Sequence, residues 1–547
     1  MTAGSAALGA LADPERYRAL PVQCGMVVNN LRYPDDGVDV LQITLDWTEP
    51  VRRSALEQAW QDLVSANPVL RTGFESDEQH GLVQVVGPDT GTDVRWQQLN
   101  QDTDEEFEWF LRADRRERFA PSRPPLIRLT LVSRPGQPVR RAVLTFHHAL
   151  LDGRSMRLLV EQLTLSYAAR LAGRAAAQPT RPPFRDFVKW WQMVEASDSS
   201  AAALSEAYWT DQLAGPVLPR SLPGLLPLDR LGAEAGAAEP RNAELALTAA
   251  ESDRIRQAAQ LLGLNASTLL TAAWALLRAR YGGVDDVVLA VTRSCRPASI
   301  PDADQVVGLL INTVPLRVRI DPAGTVEQLL HAVNDGIRQL REHQLSPMAS
   351  ILGWAGLPVD TPLIDSLMMF DRRRLQTGLA EDLGLDSAAV PVSARVDRLP
   401  SYPLTVLGYD EPRLLLGVIW DGRRFSDGAP QLMLEQVRAT LLEFAARPGA
   451  ALADLSLAAP AEPELIEGWN RTGGDPAAAT IAELFAEQVR RQPTALAVQG
   501  PAGQYSYAEL DQRSDRLARA LRRHGVGTGS PVAVALPRGL DLIVALL

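Results

Sequence analysis

Two histidines stand side by side at His147-His148, and an acid and a glycine, Asp152-Gly153, follow four residues after the second. They are two of six histidines in a chain of 547 residues. A neutral imidazole takes or orients a proton near neutral pH, which is what an attacking amine needs. The run before the pair, Ala142-Val143-Leu144-Thr145-Phe146, reads as a buried strand, and from Arg154 to Leu171 apolar residues recur at helical spacing. The pair therefore sits where a strand hands over to a helix. Successive strand residues point to opposite faces, so one imidazole can enter a cleft while its neighbour turns back into the protein. A lone histidine at a strand end is more often structural. Four specified residues within seven, at such a junction, favour function.

The other polar residues nearby have plainer readings. Asp152 suits the N-cap of the following helix. As a functional group it is a better partner for an arginine than a catalytic acid, and losing either half of such a buried pair would destabilise the site. Spacing does not choose among the arginines. Gly153 leaves room for backbone or ligand, and Ser155 reads as capping the first helical turn. Cys295 reads as a buried thiol, with nucleophile as the lesser alternative. Trp190-Trp191 reads as core. There is no Gly-x-Ser-x-Gly, no Walker loop and no GxGxxG after a strand. Two cysteines exclude a disulfide framework, and no His/Cys cluster has zinc spacing, so no metal is expected.

Elements that could position these residues recur along the chain. Strands are expected at Asp39–Trp47, Gly81–Val86, Leu126–Val132 and Arg141–Phe146, with helices at Arg52–Ala66 and near Asp104–Arg115. After a Pro/Ala-rich stretch at Gly173–Pro183, helices follow at Phe184–Glu195 and Ala201–Leu213, then a long Pro/Gly/Ala loop at Gly215–Asn242. A second block has helices at Ala250–Leu262, Ala266–Tyr281, Val326–His343 and Gln431–Ala446. Its strands are expected at Asp286–Arg293, Thr313–Ile320, Leu363–Phe370, Leu404–Tyr409 and Leu414–Trp420. Helices and strands so mixed predict an α/β fold, an open α+β sandwich. A last segment offers helices at Ile481–Arg491 and Tyr507–His524 and strands at Ala495–Gln499 and Pro531–Leu536. It stops inside the apolar run Asp541–Leu547, which reads as a cut through a larger domain.

Length predicts two to four domains. A net charge of −11 argues against general nucleic-acid binding, and no apolar run reaches membrane-spanning length. Met1–Ala12 lacks the basic start of a secretory signal, so the expected compartment is the cytoplasm.

His147-His148-Ala149-Leu150-Leu151-Asp152-Gly153 resembles the HHxxxDG signature of the condensation-domain superfamily of nonribosomal peptide synthetases. Other stretches agree in order. Leu20-Pro21-Val22-Gln23 with Gly25-Met26 is similar to the opening motif, and Asn67–Phe74 to "HexLRTxF" with Asn-Pro in place of His-Glu. Val288–Pro297 is similar to the strand ending in "GRP", with Cys295 where glycine is common. Val307–Arg317 is similar to "VGxFxNTxPxR", and His343-Gln344 with Pro347 to a later motif. Residues 478–547 resemble the beginning of an adenylation domain, through Tyr505-Ser506-Tyr507-Ala508-Glu509-Leu510 and the lead-in Trp469-Asn470. Its phosphate loop and catalytic lysine would lie beyond Leu547, so this fragment should not activate an amino acid with ATP.

The resemblance implies two chloramphenicol-acetyltransferase-like lobes in a V. The expected divisions are a leader at 1–18, an N-lobe at 19–180, a C-lobe at 181–457, a linker at 458–477 and a truncated adenylation part at 478–547. It implies that the amine of an acceptor aminoacyl thioester attacks a donor acyl or peptidyl thioester to form an amide. Both would be held on the 4'-phosphopantetheine arms of carrier proteins, with no cofactor bound by the domain itself. The donor carrier is expected on a separate upstream protein, the acceptor carrier downstream in the full chain and the adenylation domain in cis. His148 would act at the reacting centre as base or guide, within a catalytic motif of His147, His148, Asp152 and Gly153. In that motif His147 is structural and Asp152 pairs with Arg296 from the other lobe. Gly153, Ser155 and Asn312 would line the tunnel.

Three other outcomes stay open at this point. Arg154-Ser155 follows Asp-Gly where many members have tryptophan, which is similar to a subgroup that handles modified amino acids and can dehydrate a Ser- or Thr-derived residue. A coenzyme A-dependent acyltransferase would share the histidine motif, and a non-catalytic recruitment platform would share the fold.

Overall fold

The computed structural model describes residues 16–547 except 34–36, 38, 90, 198, 216–239, 359–360, 362, 376–378, 380–382, 386–388, 400–401, 423–424, 426–427, 461 and 474–478. The expected leader therefore lies outside the described residues apart from Arg16–Arg18, as do most of the loop expected at Gly215–Asn242 and part of the expected linker.

The strands of the first half are Arg16–Arg18 (β1), Val40–Asp46 (β2), Thr72–Asp77 (β3), Gly81–Val86 (β4), Val94–Gln98 (β5), Ile127–Ser133 (β6) and Arg141–His147 (β7). Those of the second are Pro240–Ala246 (β8), Asp286–Ser294 (β9), Ile311–Arg319 (β10), Ser366–Asp371 (β11), Ser393–Asp397 (β12), Leu404–Asp410 (β13) and Leu414–Asp421 (β14). β7, which ends in His147, is the centre of a five-stranded sheet of order β12-β2-β7-β6-β5. It pairs antiparallel with β2, placing Val40 opposite His147, and antiparallel with β6 on its other side.

Both faces of β7 are covered, which explains its apolar run. Ala142, Leu144 and Phe146 pack with the helices Arg53–Ala66 and Gly153–Leu171 in one core, around Trp60 and Leu159. Val143 faces the helix Asp104–Arg116 with Phe107 and Leu111. That helix starts on Thr103, whose side chain accepts the Glu106 N–H, carries Asp104, Glu105 and Glu106 in its first turn, and ends on Arg115 and Arg116. Charges so arranged complement the helix dipole.

The second sheet has order β10-β9-β11-β13-β14-β8 and encloses a separate core with Trp274, Trp420 and Phe444. β8 shows that Pro240–Asn242, expected to be loop, belongs to a strand on the open edge of β14. The two halves interlock. β12 leaves the second half to pair with β2 of the first sheet, and Phe184, Phe187, Val306 and Leu310 all join the first core. The first sheet is thus completed by residues from the stretch expected to form the second lobe.

Ala461–Leu547 is a separate unit. It holds the helices Glu462–Asn470, Ile481–Arg491, Tyr507–Arg523 and Leu540–Leu546 and the hairpin Leu496–Gly500 with Gly503–Ser506. The strand expected at Pro531–Leu536 is not formed, because no described strand lies beside it to satisfy its backbone.

Candidate active site

The two histidines part at the end of β7. His147 is fully buried; its Nδ1 accepts the Ala149 N–H at 3.1 Å, capping the short turn His148–Leu150. Its Nε2 is buried without a hydrogen-bond partner among the described residues. Burial, with His148 adding, lowers its pKa to about 4, so the ring is neutral. His147, expected to be the structural member of the motif, is absent from the walls of both cavities described below.

His148 is half-buried, and its N–H donates to the Asp39 carbonyl at 2.6 Å. Its Nδ1 lies 2.9 Å from the Leu151 carbonyl, which can only accept, so Nδ1 carries the proton and Nε2 keeps its lone pair. Burial lowers the pKa of this ring, and the charge of Arg398 adds to the effect against the Leu151 bond and Asp152. At neutral pH His148 is thus a neutral imidazole with a bare Nε2.

Asp152 is fully buried and caps the helix Gly153–Leu171 through the Ser155 N–H at 2.8 Å. The same carboxylate accepts two bonds from Arg296, at 2.6 and 3.2 Å, and the Leu310 N–H at 3.0 Å. Its own N–H donates to Gly308 O at 3.1 Å. The capping and ion-pair readings are therefore both satisfied by one side chain. The connection between β9 and β10 is stitched to the His148 turn through this group. Gly308 makes the approach possible, because a Cβ there would run into the Phe184 ring.

Ser155 departs from both of its expected places. It is fully buried and absent from the cavity walls, and it does not cap the helix. Its Oγ donates to Gly308 O at 2.7 Å and accepts the Gly308 N–H at 3.0 Å, which consumes it as a cross-link between the halves. Asn312 lines the first cavity, but its amide is spent on the carbonyls of Gln344 and Ser346, at 2.8 and 2.9 Å. Gly153 is exposed on the second cavity, where a Cβ would meet nothing closer than Met156 Cε at 4.0 Å. Cys295 is buried and its thiol is pushed up to about 12 by burial, so it is inert. Trp191 is core, 4% exposed, with its edge on the first cavity.

Two cavities, of about 910 and 1700 Å³, meet at His148. Their shared wall is Leu41, His148, Thr292, Ile311, Met369 and Arg398, drawn from both halves of the fold. A molecule in either cavity can reach the same imidazole. Nothing in the sequence singles out Arg398, which is one arginine among many there. It reaches the junction because it follows β12, the strand that crosses between the sheets. Burial lowers its pKa, and its Nη1 has the Met369 sulfur at 3.6 Å. Among the described residues no group of three or more His, Cys, Asp or Glu could hold a metal, and no single helix is long and apolar enough to cross a membrane.

The condensation-domain family model matches residues 14–467, and that of the AMP-binding enzymes matches residues 485–547. Two component proteins of the linear gramicidin synthase of Brevibacillus parabrevis are 32% and 29% identical to this chain, each over 538 residues. Each alignment takes in 97% of this chain but only 10% and 7% of those proteins, so the chain spans a tenth or less of their length. Among solved structures, the first condensation domain of the calcium-dependent antibiotic synthetase aligns over 81% of this chain and 98% of its own, at 19% identity and a TM-score of 0.65. A four-domain nonribosomal peptide synthetase bound to AMP and glycine aligns over 94% of this chain and 39% of its own, at 18% identity and a TM-score of 0.71.

Proposed function

The chain belongs to the condensation-domain family, and we propose that it joins two carrier-bound substrates across the tunnel at His148. The reaction is acyl transfer with amide-bond formation. Donor and acceptor arrive as thioesters on phosphopantetheine arms, one through each cavity. The acceptor's amine attacks the donor carbonyl, a C–N bond forms, and the tetrahedral intermediate expels the donor thiolate as the C–S bond breaks. His148 Nε2 accepts the proton that the nitrogen must lose and returns it to the leaving sulfur. The observation that carries this reading is the meeting of two cavities at a neutral imidazole whose bare Nε2 is set by the Leu151 carbonyl. Most of the acceleration comes from holding two tethered reactants together, with proton transfer adding about 10²–10⁴-fold.

In this scheme Asp152 and Arg296, at the wall of the larger cavity, hold the His148 turn against the second half. Arg398 offers a guanidinium to the oxyanion that develops on the donor carbonyl. The AMP-binding segment that follows fits an assembly-line module working in the cytoplasm with carrier domains. The test mixes the protein with a loaded donor carrier and a seryl-loaded acceptor carrier, and reads the acceptor arm by intact mass. A mass equal to donor plus acceptor supports plain condensation, and one lighter by a water assigns a dehydrating reaction. An acceptor arm unchanged across a panel of substrates would overturn the proposal.

A further inference from the structure

Opposite His148, the first cavity holds a carboxylate that the scheme above does not use. Asp39 is 6% exposed, yet it lines this cavity with Asn29, Arg398 and Tyr402. Its Oδ2 accepts the Asn29 Nδ2 at 3.0 Å, and among the described residues no cation pairs with it. Its backbone carbonyl receives the His148 N–H, which ties the residue to the reacting imidazole. Its φ is +64°, a left-handed conformation uncommon outside glycine. Burial raises the carboxyl to about 6, and the Asn29 bond opposes that only in part. A buried carboxylate beside a catalytic group, with no structural cation, is a candidate for meeting a cation that the substrate brings.

The amine that reacts here reaches the protein largely as an ammonium ion, and only the free amine can attack. We propose that Asp39 is the cation-binding residue of the acceptor side: its carboxylate receives the α-ammonium of the acceptor thioester and takes one proton from it. The free amine is then presented to His148 and the donor carbonyl. The ammonium N–H bond breaks and a carboxyl O–H forms. The carboxyl gives its proton back to cavity water as the amide leaves, so no other reactant is needed. This assigns the 910 Å³ cavity to the acceptor and the 1700 Å³ cavity to the donor. The inference rests on the condensation reading and adds the charge of the group recognised.

The full chain is titrated with the N-acetylcysteamine thioesters of alanine and of lactate, which differ by an ammonium against a hydroxyl, using ligand-observed NMR at pH 7. The wild type should bind the alanyl thioester at least about tenfold more tightly, the usual range for a charge-assisted hydrogen bond. Asp39→Asn keeps the size and suits the left-handed backbone; it should remove that preference while lactyl binding stays within about twofold. A preference that survives in Asp39→Asn overturns the assignment. Equal binding of both thioesters by the wild type also overturns it, whatever the variant's stability. If the wild type binds neither, the condensation reading falls with it.

Discussion

Breaking one half of the Asp152–Arg296 pair should cost far more than a surface ion pair. The two side chains are 1% and 6% exposed, so water screens neither. Arg296→Met leaves the Asp152 carboxylate buried with only the Ser155 and Leu310 N–H groups. Asp152→Asn keeps the helix cap but turns an amide donor toward other donors and leaves the guanidinium uncompensated. Each single change should lower unfolding free energy by about 3–5 kcal/mol, the range for uncovering a buried charge. Removing both charges together in Asp152→Asn/Arg296→Met should cost less than the two losses added, by about 2–3 kcal/mol. Urea unfolding of the four proteins, followed by tryptophan fluorescence, measures this cycle. A single variant that loses under about 1 kcal/mol, or a double variant that loses the full sum, would refute the reading of this network.

Two further outcomes follow from groups around the site. Asp39 and His147 oppose each other in pH. The Asp39 carboxyl is raised, so its contribution is complete below about 3.8 and is lost as pH rises through about 6; His147 is depressed, so its contribution is complete above 6.5 and is lost as pH falls through about 4. Each amounts to about 3 kcal/mol over nearly the same window and the two offset one another. Asp39→Asn should therefore unmask a stability that climbs by about 3 kcal/mol from pH 4 to pH 6.5 relative to wild type, and parallel urea profiles would contradict this. Gly308→Ala places a methyl into Phe184 and should cost at least about 1–3 kcal/mol, partly recovered by Phe184→Leu; an unchanged melting temperature would show that the approach is not as tight as described.

The His147–Gly153 motif was legible because its strand and helix are local, with periodicities of two and 3.6 that frame the junction. The helices Val326–His343 and Ile481–Arg491 were equally plain, since capping boxes and amphipathic spacing agree there. What could not be read depends on pairing over long distances. β12, Ser-Ala-Arg-Val-Asp, is mostly polar and becomes a strand only beside β2, hundreds of residues earlier. Arg398 reaches the junction only through that crossing. Asp39 is the first residue of the strand expected at Asp39–Trp47, and nothing local shows its left-handed turn or its place opposite His148. Ser155 looked like a cap because its partner, Gly308, belongs to the other half. Side-chain chemistry carried the motif, and tertiary pairing chose its companions.

In the proposed reaction His148 Nε2 handles the proton of the attacking amine. The most direct test of that role is a single-turnover transfer between loaded carriers, comparing wild type with His148→Ala and monitoring the melting temperature of each. The rate should fall by about 10²–10⁴-fold at an essentially unchanged melting temperature. A His148→Ala protein that transfers at the wild-type rate would contradict that role.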